Sequence, residues 1–137
     1  KPKNSLKNTM KEIEHKENKI LINLSNHPFT DWDPAQRKES EKYGRIIEIP
    51  FPRVDPSASE EEIVRLANET VEKCLIVGKN NELTVHVMGE MTLTYSIVRM
   101  LKEKGIKCIA STSERKALTE NGLRLSEFSF VRFREYV

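Results

Sequence analysis

The chain is poor in the residues that announce the simpler chemistries. It has only two cysteines, Cys74 and Cys108, and they lack metal-ligand spacing. With three scattered histidines they make no zinc set. Both fall inside a predicted helix and a predicted strand, which points to buried free thiols and a reducing cytosol. Glycine is scarce, with five in the chain. None forms a Gly-x-Gly-x-x-Gly or Walker pattern after a strand, which argues against a conventional NAD or ATP site. There is no excess of charge, with 23 Lys+Arg against 21 Asp+Glu and a net charge of +2. That balance carries no signature of duplex nucleic-acid binding, so an anionic ligand must be met by a local site. No run is long and apolar enough to span a membrane. No cofactor is expected. The sequons Asn23-Leu24-Ser25 and Asn68-Glu69-Thr70 lie within predicted regular structure and are discounted.

What the chain does have is a charged surface and enough apolar residues for one core. Of its 137 residues, 32% are charged and 37% apolar, which suits a single domain. Residues 1–19 form a polar arm with six Lys against three Glu. Leu6, Met10 and Ile13 recur there at helical spacing. A solvated linker is one reading of this arm. The other is a basic segment on the cytosolic side of a membrane helix upstream of Lys1.

From residue 20 to 137 the pattern alternates strand and helix. Ile20–Leu24 reads as a buried strand, and Asp33 with Pro34 opens a helix that Gly44 stops. Arg45–Ile49 is a second strand. Ser59 and Glu62 make a capping box for a long helix ending near Gly78. Leu83–Met88 is a third strand, followed by a helix over Thr92–Lys104 with Gly105 as its stop. Lys107–Ser111 is a fourth strand. Ser113–Glu120 is expected to be a short helix closed by Asn121-Gly122, and Glu127–Tyr136 a last strand. The fold class is therefore α/β, a Rossmann-like three-layer arrangement on a mostly parallel sheet of about five strands, the last of them a candidate antiparallel strand. The simplest winding puts the first strand centrally, the second on one side and the third on the other. Ligands bind such sheets at that switch point, beyond the carboxyl ends of the strands.

Three loops leave from that end. The first offers Ser25, Asn26, His27 and Trp32. His27 is the one histidine placed for acid–base chemistry, against the plainer reading of a loop histidine bonded to backbone. Trp32 is set to stack on a base, or else to seat the next helix. The second loop, Gly89 to Tyr95, joins a glycine that permits close approach to hydroxyls at Thr92 and Thr94, which also serve as helix caps. Free N–H groups in the helix's first turn would attract a phosphate there. Glu90 is awkward for pure phosphate and fits better as an acceptor for ribose hydroxyls or an adenine amino group. The third loop, Ser111-Thr112-Ser113-Glu114-Arg115-Lys116, suits a phosphate or a purine edge, or is another capping box. His86, inside a strand, is expected in the core.

At these loops the chain resembles a known group. The run Val87-Met88-Gly89-Glu90-Met91-Thr92-Leu93-Thr94-Tyr95-Ser96-Ile97-Val98 is similar to the ligand loop of compact CRISPR-associated Rossmann-fold (CARF) domains of type III CRISPR systems. Asn23-Leu24-Ser25-Asn26-His27, Gly105-Ile106, Ser111-Thr112-Ser113-Glu114-Arg115 and Phe130-Val131-Arg132-Phe133-Arg134-Glu135-Tyr136 fit the same group. The resemblance implies a homodimer that binds a cyclic oligoadenylate, with the tetramer favoured, across a two-fold axis. It implies ligand contacts from Ser25, Asn26 and His27 and from Gly89, Glu90, Met91, Thr92, Thr94 and Tyr95, with Ser111, Thr112 and Arg115 contributing less. It also implies one of two jobs: a sensor that drives an attached effector, including membrane-anchored ones, or a metal-independent ring nuclease that cleaves the messenger. The expectation is the sensor, a cytoplasmic domain tethered to the inner membrane in the full-length protein. A nucleotide or phosphosugar module outside CRISPR systems, on the same fold, is a third reading.

Overall fold

The computed structural model describes residues 18–137. The predicted helical spacing of Leu6, Met10 and Ile13 in the arm falls outside them. Five strands form one sheet in the order β2-β1-β3-β4-β5. These are β1 (Lys19–Ser25), β2 (Arg45–Glu48), β3 (Glu82–Met88), β4 (Lys107–Glu120) and β5 (Leu123–Glu135). The β1–β2, β1–β3 and β3–β4 pairs are parallel, and β4–β5 is antiparallel. The first strand is central and the chain reverses between β1 and β3, as the alternating pattern predicts.

Among the described residues, three α-helices cover the sheet: α1 (Pro34–Ser40), α2 (Glu60–Val77) and α3 (Met91–Glu103). The main core joins α2 and α3 to one face of the sheet. It is built from Ile20, Ile22 and Leu24 of β1, Val85 and Val87 of β3, and the stripe Ile63, Ala67, Val71 and Cys74 of α2. On the other face a smaller cluster gathers Leu21, Trp32, Ile109 and Phe133. Successive strand residues point to opposite faces, so the alternation within β1 alone assigns Leu21, Asn23 and Ser25 to the smaller side.

The caps form largely as the sequence directs. Asp33 Oδ1 accepts from Gln36 N at 2.8 Å with Pro34 next in line. Its Oδ2 accepts from Phe130 N at 3.1 Å, tying α1 to β5. These backbone donors hold the Asp33 carboxyl below its ordinary pKa. Ser59 Oγ accepts from Glu62 N at 3.2 Å at the start of α2. Gly44 sits at φ +114, and a Cβ there would overlap the Lys19 backbone. Both cysteines are buried and free. Burial pushes the Cys74 thiol up to about 11 and the Cys108 thiol to about 12, which makes them inert at neutral pH.

One element departs from expectation. Ser113–Glu120 is not a helix; it continues β4, paired residue for residue with β5. Asn121 and Gly122 both take positive φ, 52° and 76°, the geometry of a two-residue hairpin turn. The pair that reads as a helix stop is therefore a hairpin turn. β4 pairs with β3 only over Lys107–Ile109. Beyond that, β4 and β5 leave the sheet as a two-stranded ribbon whose residues 113–128 are all exposed.

Candidate ligand site at the switch point

The two crossovers meet where the topology requires. Asn26 N donates to Met88 O at 3.0 Å, joining the end of β1 to the end of β3. Ser25 pairs with Met88 in the register of those strands. On the smaller-core side of this seam a cavity of about 480 Å³ is lined by His27, Asp31, Trp32, Gln36, Met88 and Ser111, among others. On the α3 side a groove of about 790 Å³ is lined by Met88, Gly89, Met91, Thr94, Tyr95 and Tyr136, with further residues of α3. Met88 lines both. A third hollow, against the loop of residues 50–56 with its prolines Pro50, Pro52 and Pro56, takes in Glu90, Met91, Thr92 and Tyr95.

Beneath the mouth lies a polar network that an apolar reading of β1 overlooks. Asn23 and His86 face each other in register across β1 and β3, and both are fully buried. Asn23 Nδ2 donates to Glu48 Oε1 at 3.0 Å and to His27 O at 2.9 Å. Both partners are acceptors only, so they fix the amide's orientation. Asn23 Oδ1 then accepts from the Ser25 hydroxyl at 2.7 Å and from His86 Nδ1 at 2.9 Å. His86 is accordingly the tautomer with its proton on Nδ1, and its buried Nε2 has no partner. Burial, and secondarily the charge of His27, lower the His86 pKa to about 4. The His27 carbonyl also accepts from Trp32 Nε1 at 2.9 Å, so Asn23 and Trp32 together pin the loop and leave the His27 imidazole exposed.

Placed on this frame, the predicted residues separate. Asn26, His27, Gly89, Met91, Thr94, Tyr95 and Ser111 lie around the seam. Ser25 is buried, its hydroxyl engaged with Asn23 and its oxygen accepting from His27 N at 3.1 Å. Trp32 is 4% exposed, its ring 5.2 Å from His86 and 5.9 Å from Phe133. It seats the loop on the core rather than offering a face to a base. Ser111 is a strand residue and not a helix cap, with its N–H and hydroxyl directed at Met88 Sδ, 3.4 and 3.0 Å away. Thr112 donates its hydroxyl to Arg132 O at 3.0 Å. Arg115 is carried out along the ribbon, where its guanidinium holds Ser126 Oγ. It is not among the residues at the mouth.

The start of α3 also differs from the expected open anion site. Glu90, rather than Thr92 or Thr94, is the cap. Its carboxylate accepts from Thr92 N at 3.0 Å and Leu93 N at 2.8 Å, and from the Thr92 hydroxyl. These donors hold its pKa below the ordinary value. The helix N-terminus is thus filled by the protein's own anion, and an incoming phosphate must displace an exposed side chain to reach it. Glu90→Ala is expected to cost about 1 kcal/mol in a urea titration, while Glu90→Gln keeps part of the cap. Equal stability of Glu90→Ala and the parent protein would contradict this assignment.

Gly89 admits close approach, as predicted, but the approaching group belongs to the protein. The Phe51 ring packs where a Cβ would sit. Sequence reasoning missed Phe51 and the keystone Asn23; the signal for Asn23 was a lone amide in an otherwise apolar strand. Among the described residues no group of His, Cys, Asp and Glu is placed to hold a metal ion, and no helix is long and apolar enough to cross a membrane. No curated protein and no solved structure matches the chain. A family model matches residues 19–134, which take in the three α-helices and all of the sheet but Glu135, and the chain belongs to the uncharacterized protein MJ1673 family.

Proposed function

We propose that the chain is a sensor domain of type III CRISPR defence that binds a cyclic oligoadenylate, cyclic tetra-adenylate first among them, across the two-fold axis of a homodimer. The observation that carries this reading is the Asn26–Met88 hydrogen bond. It joins the two crossovers at the switch point, with the His27 cavity on one side of the seam, the groove of Gly89 and the start of α3 on the other, and Met88 lining both. A pinned loop with an exposed imidazole and a carboxylate that can swing off a helix N-terminus suits a ligand rich in hydroxyls and phosphates. A cyclic tetranucleotide is itself two-fold symmetric, and an isologous dimer presents the same mouth to each half. An attached effector, a membrane helix among the candidates, would then respond to occupancy.

The second reading, a ring nuclease, is favoured by the His27 imidazole alone. Cleavage needs a ribose hydroxyl held in line with its phosphate and a group to move the proton. Isothermal titration with cyclic tetra-adenylate, cyclic hexa-adenylate, linear tetra-adenylate and AMP is the test, followed by analysis of the recovered nucleotide. The sensor reading expects tight binding of a cyclic ring, loss of at least tenfold in affinity for linear tetra-adenylate, and intact ring at the end. Linear di-adenylate at useful rates would replace the sensor with the nuclease. Binding of AMP alone would remove both.

A further inference from the structure

Gln36 stands at the third position of α1, where a capping-box glutamine turns back to the N-cap N–H. It does not do so. Its backbone N–H is engaged by Asp33 Oδ1, but among the described residues its carboxamide makes no hydrogen bond. Yet Gln36 is only 9% exposed, and it lines the cavity of about 480 Å³ on the His27 side of the seam. A buried amide without partners costs free energy, and a ligand's hydrogen bonds would offset it. The rest of the lining selects the class of ligand. Among the described residues no Lys or Arg lines this cavity, whereas Asp31 and Asp33 do. A phosphate held inside would meet like charge with no fixed cation. A neutral group carrying N–H donors suits the carboxylates. Phe128 adds a flat face. It shares one side of β5 with Phe130, and both line the cavity. Phe130 packs on Phe133 with ring centroids 4.9 Å apart, while Phe128 is left 68% exposed. The volume lies within the roughly 300–1,000 Å³ of small-ligand sites.

We infer that this cavity takes the base of the nucleotide, with Gln36 as the residue that reads it as adenine and Phe128 as the platform on which it stacks, while the phosphates stay outside. An aromatic plane and a hydrogen-bonding edge are the two devices that hold an unstacked base. A carboxamide donates to N7 of adenine and accepts from its N6 amino group at once. Guanine and hypoxanthine carry O6 in place of that amino group, which leaves the carboxamide oxygen unpaired. The two sides of the seam then have different tasks. The stacking role passes from Trp32, which the core buries, to Phe128 on the ribbon. This base site rests on the nucleotide ligand of the proposed function but not on its ring.

Titration calorimetry of the full chain tests it with four probes: cyclic tetra-adenylate, cyclic tetra-inosinate, AMP and IMP. The parent is expected to hold the adenine ring about tenfold more tightly than the hypoxanthine ring, the scale of one bidentate base contact. Gln36→Leu keeps the bulk and removes the amide. It should bring the two rings to equal affinity by weakening the adenine ring alone. Phe128→Ala should weaken both rings alike, by about tenfold, because stacking does not distinguish an amino group from an oxygen. Phe128 is exposed, so this second variant keeps its fold even where Gln36→Leu does not, and circular dichroism checks both. An unchanged adenine preference in folded Gln36→Leu, an unchanged affinity in Phe128→Ala, or equal binding of the two rings by the parent would each overturn the base site and leave the sensor reading standing. Binding of neither ring removes the sensor reading. In that case AMP bound over IMP, with the preference lost in Gln36→Leu, keeps the base site, and any other mononucleotide result removes it.

Discussion

Gly89→Val is expected to destabilise the fold by about 1–3 kcal/mol, the range for forcing extra methyl groups into a packed contact. The cause is Phe51. Its ring occupies the space that any β-carbon at residue 89 would need, and Phe51 packs against the main core. To admit valine, the proline loop must lift or the end of β3 must shift. The effect is diagnostic in combination. Phe51→Ala opens the space at its own cost, so the Gly89→Ala/Phe51→Ala double variant should lose less stability than its two parents added together. Strict additivity in urea titrations would show that the two residues do not touch. The same contact decides how binding is tested. A substitution at Gly89 disturbs structure and mouth together, whereas the exposed His27 and Thr92 can be changed to alanine with little effect on the core.

Acid is expected to weaken the fold through His86. Its folded pKa of about 4 lies below the 6.5 of an exposed histidine, because a charged imidazole between Trp32, Phe133 and Asn23 has lost its water. The unfolded chain therefore binds the proton first. Stability from this residue is complete above pH 6.5 and is lost progressively as pH falls toward 4, by about 3 kcal/mol at 1.36 kcal/mol per pKa unit. The unpartnered Nε2 explains why nothing inside compensates. Urea titrations at half-unit steps between pH 7 and 4 measure the loss. His86→Phe should flatten the slope across that window, and an unchanged slope would assign the acid sensitivity to other groups.

The sequence disclosed the sheet order because β1, β2 and β3 differ from their helices in the period of their apolar residues. It disclosed the α1 and α2 caps because Asp33-Pro34 and Ser59-x-x-Glu62 have one dominant local use. It misled at Ser113–Glu120, where an absence of apolar periodicity fits a solvated helix and an exposed ribbon alike. Asn121-Gly122 carried the deciding information, since only a tight hairpin needs positive φ at two successive residues. Topology located the seam between the two crossovers, but local chemistry did not allot the roles of the side chains around it. Glu90 reads as an acceptor for ligand hydroxyls, and its carboxylate also caps α3. Trp32 reads equally as a stacking platform and as a seat for the next helix, and its burial makes it the second. Both outcomes depend on long-range neighbours or on a turn geometry that residue type alone does not specify. Asn23 joins residues 25 and 63 positions away, a connection no local pattern contains.

In the proposed sensor, one ring is held by two chains. Native mass spectrometry of the protein titrated with cyclic tetra-adenylate reads it directly. A single new species of two chains and one intact ring, saturating at half a ring per chain, is the expected result. Saturation at one ring per monomer, or no adduct when excess ring is present, would contradict it.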